Sequence, residues 1–302
     1  MEEKKFNDKY FTIFGFKFNL KYTLIGACVA LFALGVLLIL DATVTKISWY
    51  GVIIGCGFLV ALFVAIQLMP FRKLEGDFAY ELLWWVFPFS IVGARAFFCI
   101  FEKVPLFWEA FKVWNGGLSI LGGIMCGALG ALICCLIKKV NVVSVFDVIA
   151  PCLIIAQAIG RWGNFINQEV YGWEVTNPAL QWFPFAVFID ARGGWFLATF
   201  FYESILSTIG FFILVILCRK IKKVGVPTCV YLIYYGTIRA ILEGLRDDTY
   251  ILKDNNNMPA SRITSIIFLT IGVVGLTYII IKSVVDKKKN KYSEPNMSEE
   301  KK

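Results

Sequence analysis

Long apolar runs recur along this chain of 302 residues, and they constrain its fold more than any other feature. An α-helix needs about 20 predominantly apolar residues to cross a bilayer, and the runs reach or approach that length. The hydrophobic fraction is 58% and only 17% of the residues are charged, whereas a soluble domain is roughly half apolar and about a quarter charged. We therefore predict a polytopic membrane protein without a separate soluble domain.

Eight runs qualify as spans, which predicts an all-α transmembrane helix bundle. Their predicted bounds are 21–40, 48–69, 80–101, 117–137, 143–160, 195–218, 226–243 and 263–284. The first run is longer than the apolar core of a signal peptide, and no small-residue cleavage site stands out after it, so we interpret it as a retained anchor. An even number of spans places both termini on the same side of the membrane.

Lysines and arginines indicate the orientation of the bundle, because they accumulate in cytoplasmic segments. With the N-terminus inside, twenty of the 30 basic residues fall in inner segments. The prediction is N-in and C-in, and the net charge of +8 then reflects cytoplasmic flanks. A nucleic-acid surface would need a basic stripe with interleaved aromatic residues on a soluble face, so nucleic acid is excluded as a partner.

Polar side chains within the predicted spans concentrate near one end of the bundle. The segment Gly160–Glu169 reads GRWGNFINQE and directly follows an apolar run. Arg161 in this segment, and Arg239 with Glu243 in a later span, would lie at membrane depth. A charge there costs roughly 2.5 kcal/mol or more on insertion scales, so such groups usually serve a function. In the N-in orientation these groups lie towards the outer leaflet, which predicts a site for an anionic lipid head group.

The glycines and amides around Arg161 predict a local break in the helix. Gly160 and Gly163 flank this arginine, and we expect them to let the backbone turn sharply where the fifth span ends. Asn164 and Asn167 then either cap the turn or donate hydrogen bonds to a ligand.

Arg239, Glu243 and Arg246 are spaced by four and three residues, so they share one helical face. The planar guanidinium of Arg239 suits a phosphate, with Glu243 fixing its rotamer. A structural ion pair that anchors the helix end is the alternative. Tyr50 belongs either to this site or to the aromatic belt at the membrane interface.

The nine cysteines lie in or beside apolar spans without a CxxC pair, and the chain contains no histidine. These features argue against a metal site of the Cys/His type. We interpret the cysteines as small core side chains.

The chain resembles the prolipoprotein diacylglyceryl transferases, a family that lipidates bacterial lipoproteins. The most specific match is GRWGNFINQEVYG at residues 160–172. Shorter matches in the family's order are WYG at 49–51, GAR at 93–95, WNGGLS at 114–119, YE at 202–203 and YGTIR at 235–239 followed by Glu243. The resemblance implies a seven-span transferase domain at 48–284, preceded by a cytoplasmic N-terminus and an extra anchor at 1–47. Residues 285–302 are expected to form a charged, disordered cytoplasmic tail.

The resemblance implies transfer of the diacylglyceryl group of phosphatidylglycerol to the thiol of a lipobox cysteine, with release of glycerol phosphate. It implies prolipoprotein signal peptides and membrane lipids as partners, the outer leaflet of the bacterial plasma membrane as location, and no metal or dissociable cofactor. Together with the spacing argument, it predicts catalytic roles for Arg161, Arg239, Glu169, Glu243 and Tyr235. It predicts substrate binding by Arg161, Asn164, Gly172, Tyr50, Arg239 and Arg246.

Leu121 and the Leu197–Ala198 pair stand where the family usually carries histidines. A thiol with a pKa of about 8.5 must lose its proton before it attacks, and imidazole would be a natural base. Here Glu169, Glu243 or a tyrosine would take the proton, or nearby arginines would lower the thiol pKa. A lipid-binding paralogue without turnover is the alternative. A small-anion transporter is disfavoured because the charges cluster at one face.

Overall fold

Seven helices make up most of the described chain. The computed structural model describes residues 10–13, 16–19, 49–101, 117, 119–246 and 260–293. The helices are α1 (Trp49–Leu68), α2 (Phe78–Phe101), α3 (Ile120–Lys138), α4 (Val142–Ile166), α5 (Thr199–Lys220), α6 (Val226–Glu243) and α7 (Ala260–Ser293). They follow the seven apolar runs from residue 48 onward, which confirms the mainly helical class. The first predicted span, 21–40, lies outside the described residues.

Five of the described segments are long and apolar enough to cross a membrane. They are Trp49–Arg72, Phe78–Phe101, Val142–Ile166, Thr199–Lys220 and Arg262–Asp286. Gly122–Lys138 is a shorter apolar helix, and α6 has 18 residues with two charged side chains near its end. The chain is therefore a polytopic helical membrane protein.

Two β-hairpins accompany the helices, and the all-α prediction missed both. β1 (Tyr10–Ile13) pairs antiparallel with β2 (Phe16–Asn19), and β3 (Ala186–Ile189) pairs antiparallel with β4 (Gly194–Leu197). The second hairpin lies in the connection between α4 and α5, where a span was predicted to begin at residue 195. Aromatic and β-branched residues favour strands there, so the helix begins at Thr199 instead.

The fifth predicted span continues further than expected. α4 runs to Ile166, so the sharp turn predicted at Gly160 and Gly163 is wrong, and both glycines are helical. The chain turns after Ile166, where Gln168 and Val170 adopt left-handed backbone with φ of 51° and 59°. Arg161 and Asn164 consequently project from a continuous helix, which fixes their separation along the helix axis.

The apolar core is centred on α4, which packs against α1, α5 and α6. Val145, Val148 and Ile154 of α4 are fully buried in this core. The α2–α3 and α6–α7 pairs complete the bundle. Where α2 crosses α3, a Cβ on Gly122 would overlap the carbonyl oxygen of Gly93, so glycine permits the close crossing.

A buried ion pair lies near the start of α4, at the opposite end of this helix from Arg161. The Asp147 carboxylate accepts hydrogen bonds from the backbone N of Gly225 (2.8 Å) and Thr228 (3.1 Å), and from the Thr228 hydroxyl (2.7 Å). Nη2 of Arg72 lies 3.5 Å from the same carboxylate. Asp147 thus satisfies donors at the N-terminus of α6 and joins that helix to the segment after α1.

Candidate active site

Three arginines converge on two buried glutamates where α4, α5 and α6 meet. Glu203 lies in the middle: its Oε1 is 2.5 Å from Nη2 of Arg161, and its Oε2 is 3.3 Å from Nη1 of Arg239 and 3.9 Å from Nη2 of Arg246. Oε2 of Glu243 lies 3.4 Å from Nη2 of Arg239 and 3.3 Å from Nη1 of Arg246. We call these five residues the arginine–glutamate cluster.

Helix packing assembles the cluster from separate parts of the chain. Arg161 belongs to the last turns of α4, and Glu203 to the second turn of α5. Arg239 and Glu243 lie one turn apart at the end of α6, and Arg246 follows that helix. The carboxylates of α5 and α6 therefore hold guanidiniums that approach from three directions.

Gly172 positions Arg246 through the backbone. The two residues form an isolated β-bridge, and the indole Nε1 of Trp173 donates to the carbonyl oxygen of Arg246 at 2.9 Å. A Cβ on Gly172 would lie 2.6 Å from the carbonyl oxygen of Leu245, so only glycine allows this close approach. Direct contact between Gly172 and a substrate stays a prediction.

The cluster carries one excess positive charge, because three guanidiniums face two carboxylates. Glu203 and Glu243 are 2% and 5% exposed, whereas the arginine side chains are 14–16% exposed. Burial lowers the pKa of Arg246 to about 10, and the neighbouring charge of Arg239 adds to this lowering. An anion bound among the guanidiniums would offset that repulsion, and a phosphate matches their planar donors.

Asn164 connects the cluster to Glu169. Its Oδ1 accepts a hydrogen bond from Nη1 of Arg161 at 3.4 Å, and its Nδ2 donates to Oε1 of Glu169 at 3.0 Å. Nδ2 of Asn167 donates to the same oxygen at 3.4 Å. In the described part of the chain, the hydrogen bonds to the Glu169 carboxylate thus come from neutral amides, whereas Glu203 and Glu243 pair with guanidiniums.

Two tyrosines border the cluster. A Cβ on Gly163 would lie 2.7 Å from Cδ2 of Tyr50, so glycine lets this ring pack on α4 two residues beyond Arg161. The hydroxyl of Tyr235 lies beside Arg161. Its ring is stacked on Tyr231, with centroids 5.8 Å apart and planes at 6°.

The predicted site residues come together in one region. Seven of them form the cluster or its hydrogen-bonded surroundings: Arg161, Arg239, Glu243, Arg246, Asn164, Glu169 and Tyr235. The other two, Tyr50 and Gly172, support the cluster by close packing. Their catalytic and binding roles stay predictions. Glu203 is not among the site residues predicted from the sequence, although the match of YE at 202–203 to the family was a usable signal for it.

Comparisons with known proteins address the family directly. The family model described as prolipoprotein diacylglyceryl transferase matches residues 37–278. A phosphatidylglycerol–prolipoprotein diacylglyceryl transferase of Streptococcus agalactiae is 37% identical over 244 residues, which cover 77% of this chain and 91% of that protein. The chain belongs to the prolipoprotein diacylglyceryl transferase family.

Two further relatives support the same assignment. Phosphatidylglycerol–prolipoprotein diacylglyceryl transferase 1 of Clostridium perfringens is 36% identical over 254 residues, or 82% of this chain and 94% of that protein. A phosphatidylglycerol–prolipoprotein diacylglyceryl transferase of Listeria monocytogenes is 37% identical over 247 residues, which cover 79% of this chain and 87% of that protein. This member of the prolipoprotein diacylglyceryl transferase family is thus a membrane-embedded transferase, and the resemblance found in the sequence is confirmed.

Proposed function

We propose that the protein transfers the diacylglyceryl group of phosphatidylglycerol to the lipobox cysteine thiol of prolipoproteins. The reaction takes place at the outer leaflet of the bacterial plasma membrane and is the first step of lipoprotein maturation. The observation that carries the proposal is the arginine–glutamate cluster, which combines an excess positive charge with partly accessible guanidiniums. The names of the relatives supply the substrates.

The cluster suits the charge changes of this reaction. The thiolate sulfur forms a bond to the terminal glycerol carbon of the diacylglyceryl group, and the bond from that carbon to the phosphate oxygen breaks. Glycerol phosphate leaves with one more negative charge than the phosphodiester had. Arg161 and Arg239 hold the phosphate and stabilise that developing charge, which is worth more in a buried, low-dielectric site than in water.

Glu169 is our proposed acceptor of the thiol proton. Two guanidiniums already engage Glu243, at 3.4 and 3.3 Å, whereas Glu169 receives hydrogen bonds from the amides of Asn164 and Asn167. Protonation of Glu243 would break two ion pairs, whereas protonation of Glu169 would break none of those in the described chain. Tyr235, beside Arg161, helps to orient the phosphate.

Transfer in vesicles tests the proposal. Purified protein in phosphatidylglycerol vesicles should add a diacylglyceryl mass to a lipobox peptide. Arg161→Ala should reduce the rate by roughly 100-fold or more, in line with the removal of one donor from an oxyanion site. Arg192→Ala changes an exposed arginine on the β3–β4 hairpin and should keep the wild-type rate. An unmodified peptide with the wild-type protein would refute the proposal.

A lipid-binding paralogue without turnover is the second candidate, and the absence of histidine from the chain is the observation that favours it. Binding of phosphatidylglycerol without any mass shift would support this candidate. Leu121→His provides the complementary experiment. A sharp gain in transfer would mean that the native chain lacks its base, whereas an unchanged rate agrees with Glu169 in that role.

The domain bounds and membrane topology that we propose are those predicted from the sequence. Residues 1–47 supply a cytoplasmic N-terminus and an additional anchor, 48–284 the transferase domain, and 285–302 a cytoplasmic tail, in an N-in and C-in arrangement with eight spans. The extra anchor adds one crossing before the seven-span core, so it decides on which side the N-terminus lies. The concentration of basic residues in the proposed inner segments supports this arrangement.

A further inference from the structure

A groove on the β3–β4 hairpin adjoins the arginine–glutamate cluster. Its volume is about 460 Å³. Asn164, Gln168 and Glu169 supply polar groups to its lining, and most of the other lining residues are apolar, Phe188 and Phe200 among them. Because Asn164 also accepts a hydrogen bond from Arg161, the groove and the cluster are joined by a single side chain.

The edge of β3 forms one wall of this groove. All four residues of Ala186–Ile189 line it. β4 pairs with β3 on one side and contacts the preceding loop on the other, through the bridge between Glu174 and Phe196 and the bond from the N of Val175 to the carbonyl oxygen of Trp195 (2.7 Å). Within the described chain, β3 has β4 as its sole partner strand. On the other edge of β3 the backbone N of Ala186 already donates to the carbonyl oxygen of Trp182 (2.9 Å), so the open part of this edge lies around Phe188. A strand edge of this kind is a template for a further strand.

Gln168 closes one end of the strand edge. Its Oε1 accepts a hydrogen bond from the backbone N of Asp190 at 2.9 Å, and its Nε2 donates to Oδ2 of Asp190 at 2.6 Å. The groove is therefore bounded at the end of β3 by a side chain that comes from the same turn as Glu169. An extended segment in the groove would run between this turn and the hairpin.

We propose that the groove binds an extended, largely apolar segment of the prolipoprotein next to its cysteine, added as a further strand on β3. This inference rests on the proposed function, since it assigns the place of the peptide substrate. Main-chain hydrogen bonds to β3 tolerate many sequences, while Val187 and Phe188 favour apolar side chains. Asn164 lines the groove and accepts a hydrogen bond from Arg161. A cysteine next to the bound segment would therefore lie near the phosphate held by Arg161.

Two phenylalanines of the hairpin region provide a matched pair of variants. Phe188 lines the groove and is 47% exposed, whereas Phe185 is 45% exposed and is not part of the lining. Phe188→Ala should raise KM for the peptide roughly tenfold, with kcat and KM for phosphatidylglycerol unchanged. Phe185→Ala should leave all three at wild-type values. Equal effects of both variants, with weaker vesicle association, would identify an interfacial anchor and overturn the proposal.

Backbone methylation of the peptide gives an independent measurement. The probe is a fluorescent prolipoprotein peptide with alanine in place of the cysteine, bound to the full-length protein in nanodiscs. Single N-methyl groups should weaken binding roughly three- to tenfold at alternate positions and leave the intervening positions unchanged, because an edge strand directs every second amide towards its neighbour. Uniform tolerance of methylation would exclude strand addition.

These outcomes remain separate from those of the proposed function. Failure of the wild-type protein to modify the cysteine peptide would refute the transferase reaction, yet alternating methylation effects would still locate the peptide on β3. Normal transfer with uniform tolerance and a wild-type peptide KM for Phe188→Ala would refute the groove alone.

Discussion

Glu203 connects more of the cluster than any other side chain that the structure describes. Its two oxygens contact guanidiniums from α4, from α6 and from the segment after α6. Because Glu203 is 2% exposed, its charge is stable only while these partners remain. Removing the charge would leave three guanidiniums with Glu243 as their remaining carboxylate in the cluster.

Glu203→Gln is expected to lower kcat at least tenfold without raising KM for phosphatidylglycerol. The amide has one acceptor oxygen, and its NH₂ group would face a guanidinium, so the arginines lose their common anchor. The cluster gains one unit of positive charge, which keeps its attraction for an anionic lipid. Steady-state kinetics in vesicles would test this, with the exposed Glu174→Gln as control. A higher KM with unchanged kcat would instead assign Glu203 to lipid binding.

Glu169→Gln should change the pH dependence of transfer. If Glu169 accepts the thiol proton, the variant depends on thiol that ionises unaided, and the thiolate fraction rises up to and beyond the ordinary thiol pKa of about 8.5. The rate of the variant should therefore increase roughly tenfold per pH unit from pH 6 to 8, while the wild-type rate changes less. Parallel pH profiles for the two proteins would argue against Glu169 as the base.

At the scale of helices, the contact between α1 and α4 determines where Tyr50 lies. The two helices pack closely, and Gly163 provides the space for the tyrosine ring. Gly160 lies one turn earlier on α4, and a Cβ added there would meet no atom of the described residues within 4 Å, so this glycine faces away from the described helices. The two glycines around Arg161 therefore differ in what an added methyl group would meet.

Gly163→Ala should reduce transfer substantially, whereas Gly160→Ala should be tolerated. The new methyl group at residue 163 would force the Tyr50 ring or α1 away from α4, and overpacking of this kind typically costs about 1–3 kcal/mol. Alanine at residue 160 adds helix propensity on a side that faces away from the described helices. The measurements are kcat/KM in vesicles and the thermal midpoint of each variant. Equal tolerance of both substitutions would show that the Tyr50 contact is unimportant.

The helices were predictable from the sequence because apolar runs report membrane helices directly. The α4–α5 connection was not, since the strands Ala186–Ile189 and Gly194–Leu197 are short and as apolar as the span that follows them. The candidate site was predictable where it consists of charges within or directly after apolar runs of the sequence, as with Arg161 and Arg239. The role of Glu203 depends on which helix faces which, and local spacing does not contain that information.

At the scale of the whole molecule, two buried ion-pair networks that involve α4 lie at opposite ends of the bundle. Asp147 and Arg72 join α4, α6 and the segment after α1 at one end, and the arginine–glutamate cluster joins α4, α5 and α6 at the other. The number of basic residues in the connecting segments differs between these two ends. The short connection from α5 to α6 contains Lys222 and Lys223 directly after Arg219 and Lys220, whereas residues 167–198 contain Arg192 as their single basic residue.

This asymmetry predicts that the hairpin end, and with it the cluster, faces outward. In a variant without the nine native cysteines, a single cysteine at Glu174 should react with a membrane-impermeant maleimide on intact cells. A single cysteine at Lys222 should react only after the membrane is opened; both positions are exposed in the structure. The reverse pattern would place the arginines at the inner leaflet, where they could not serve a thiol presented from outside, and would contradict the proposed reaction site.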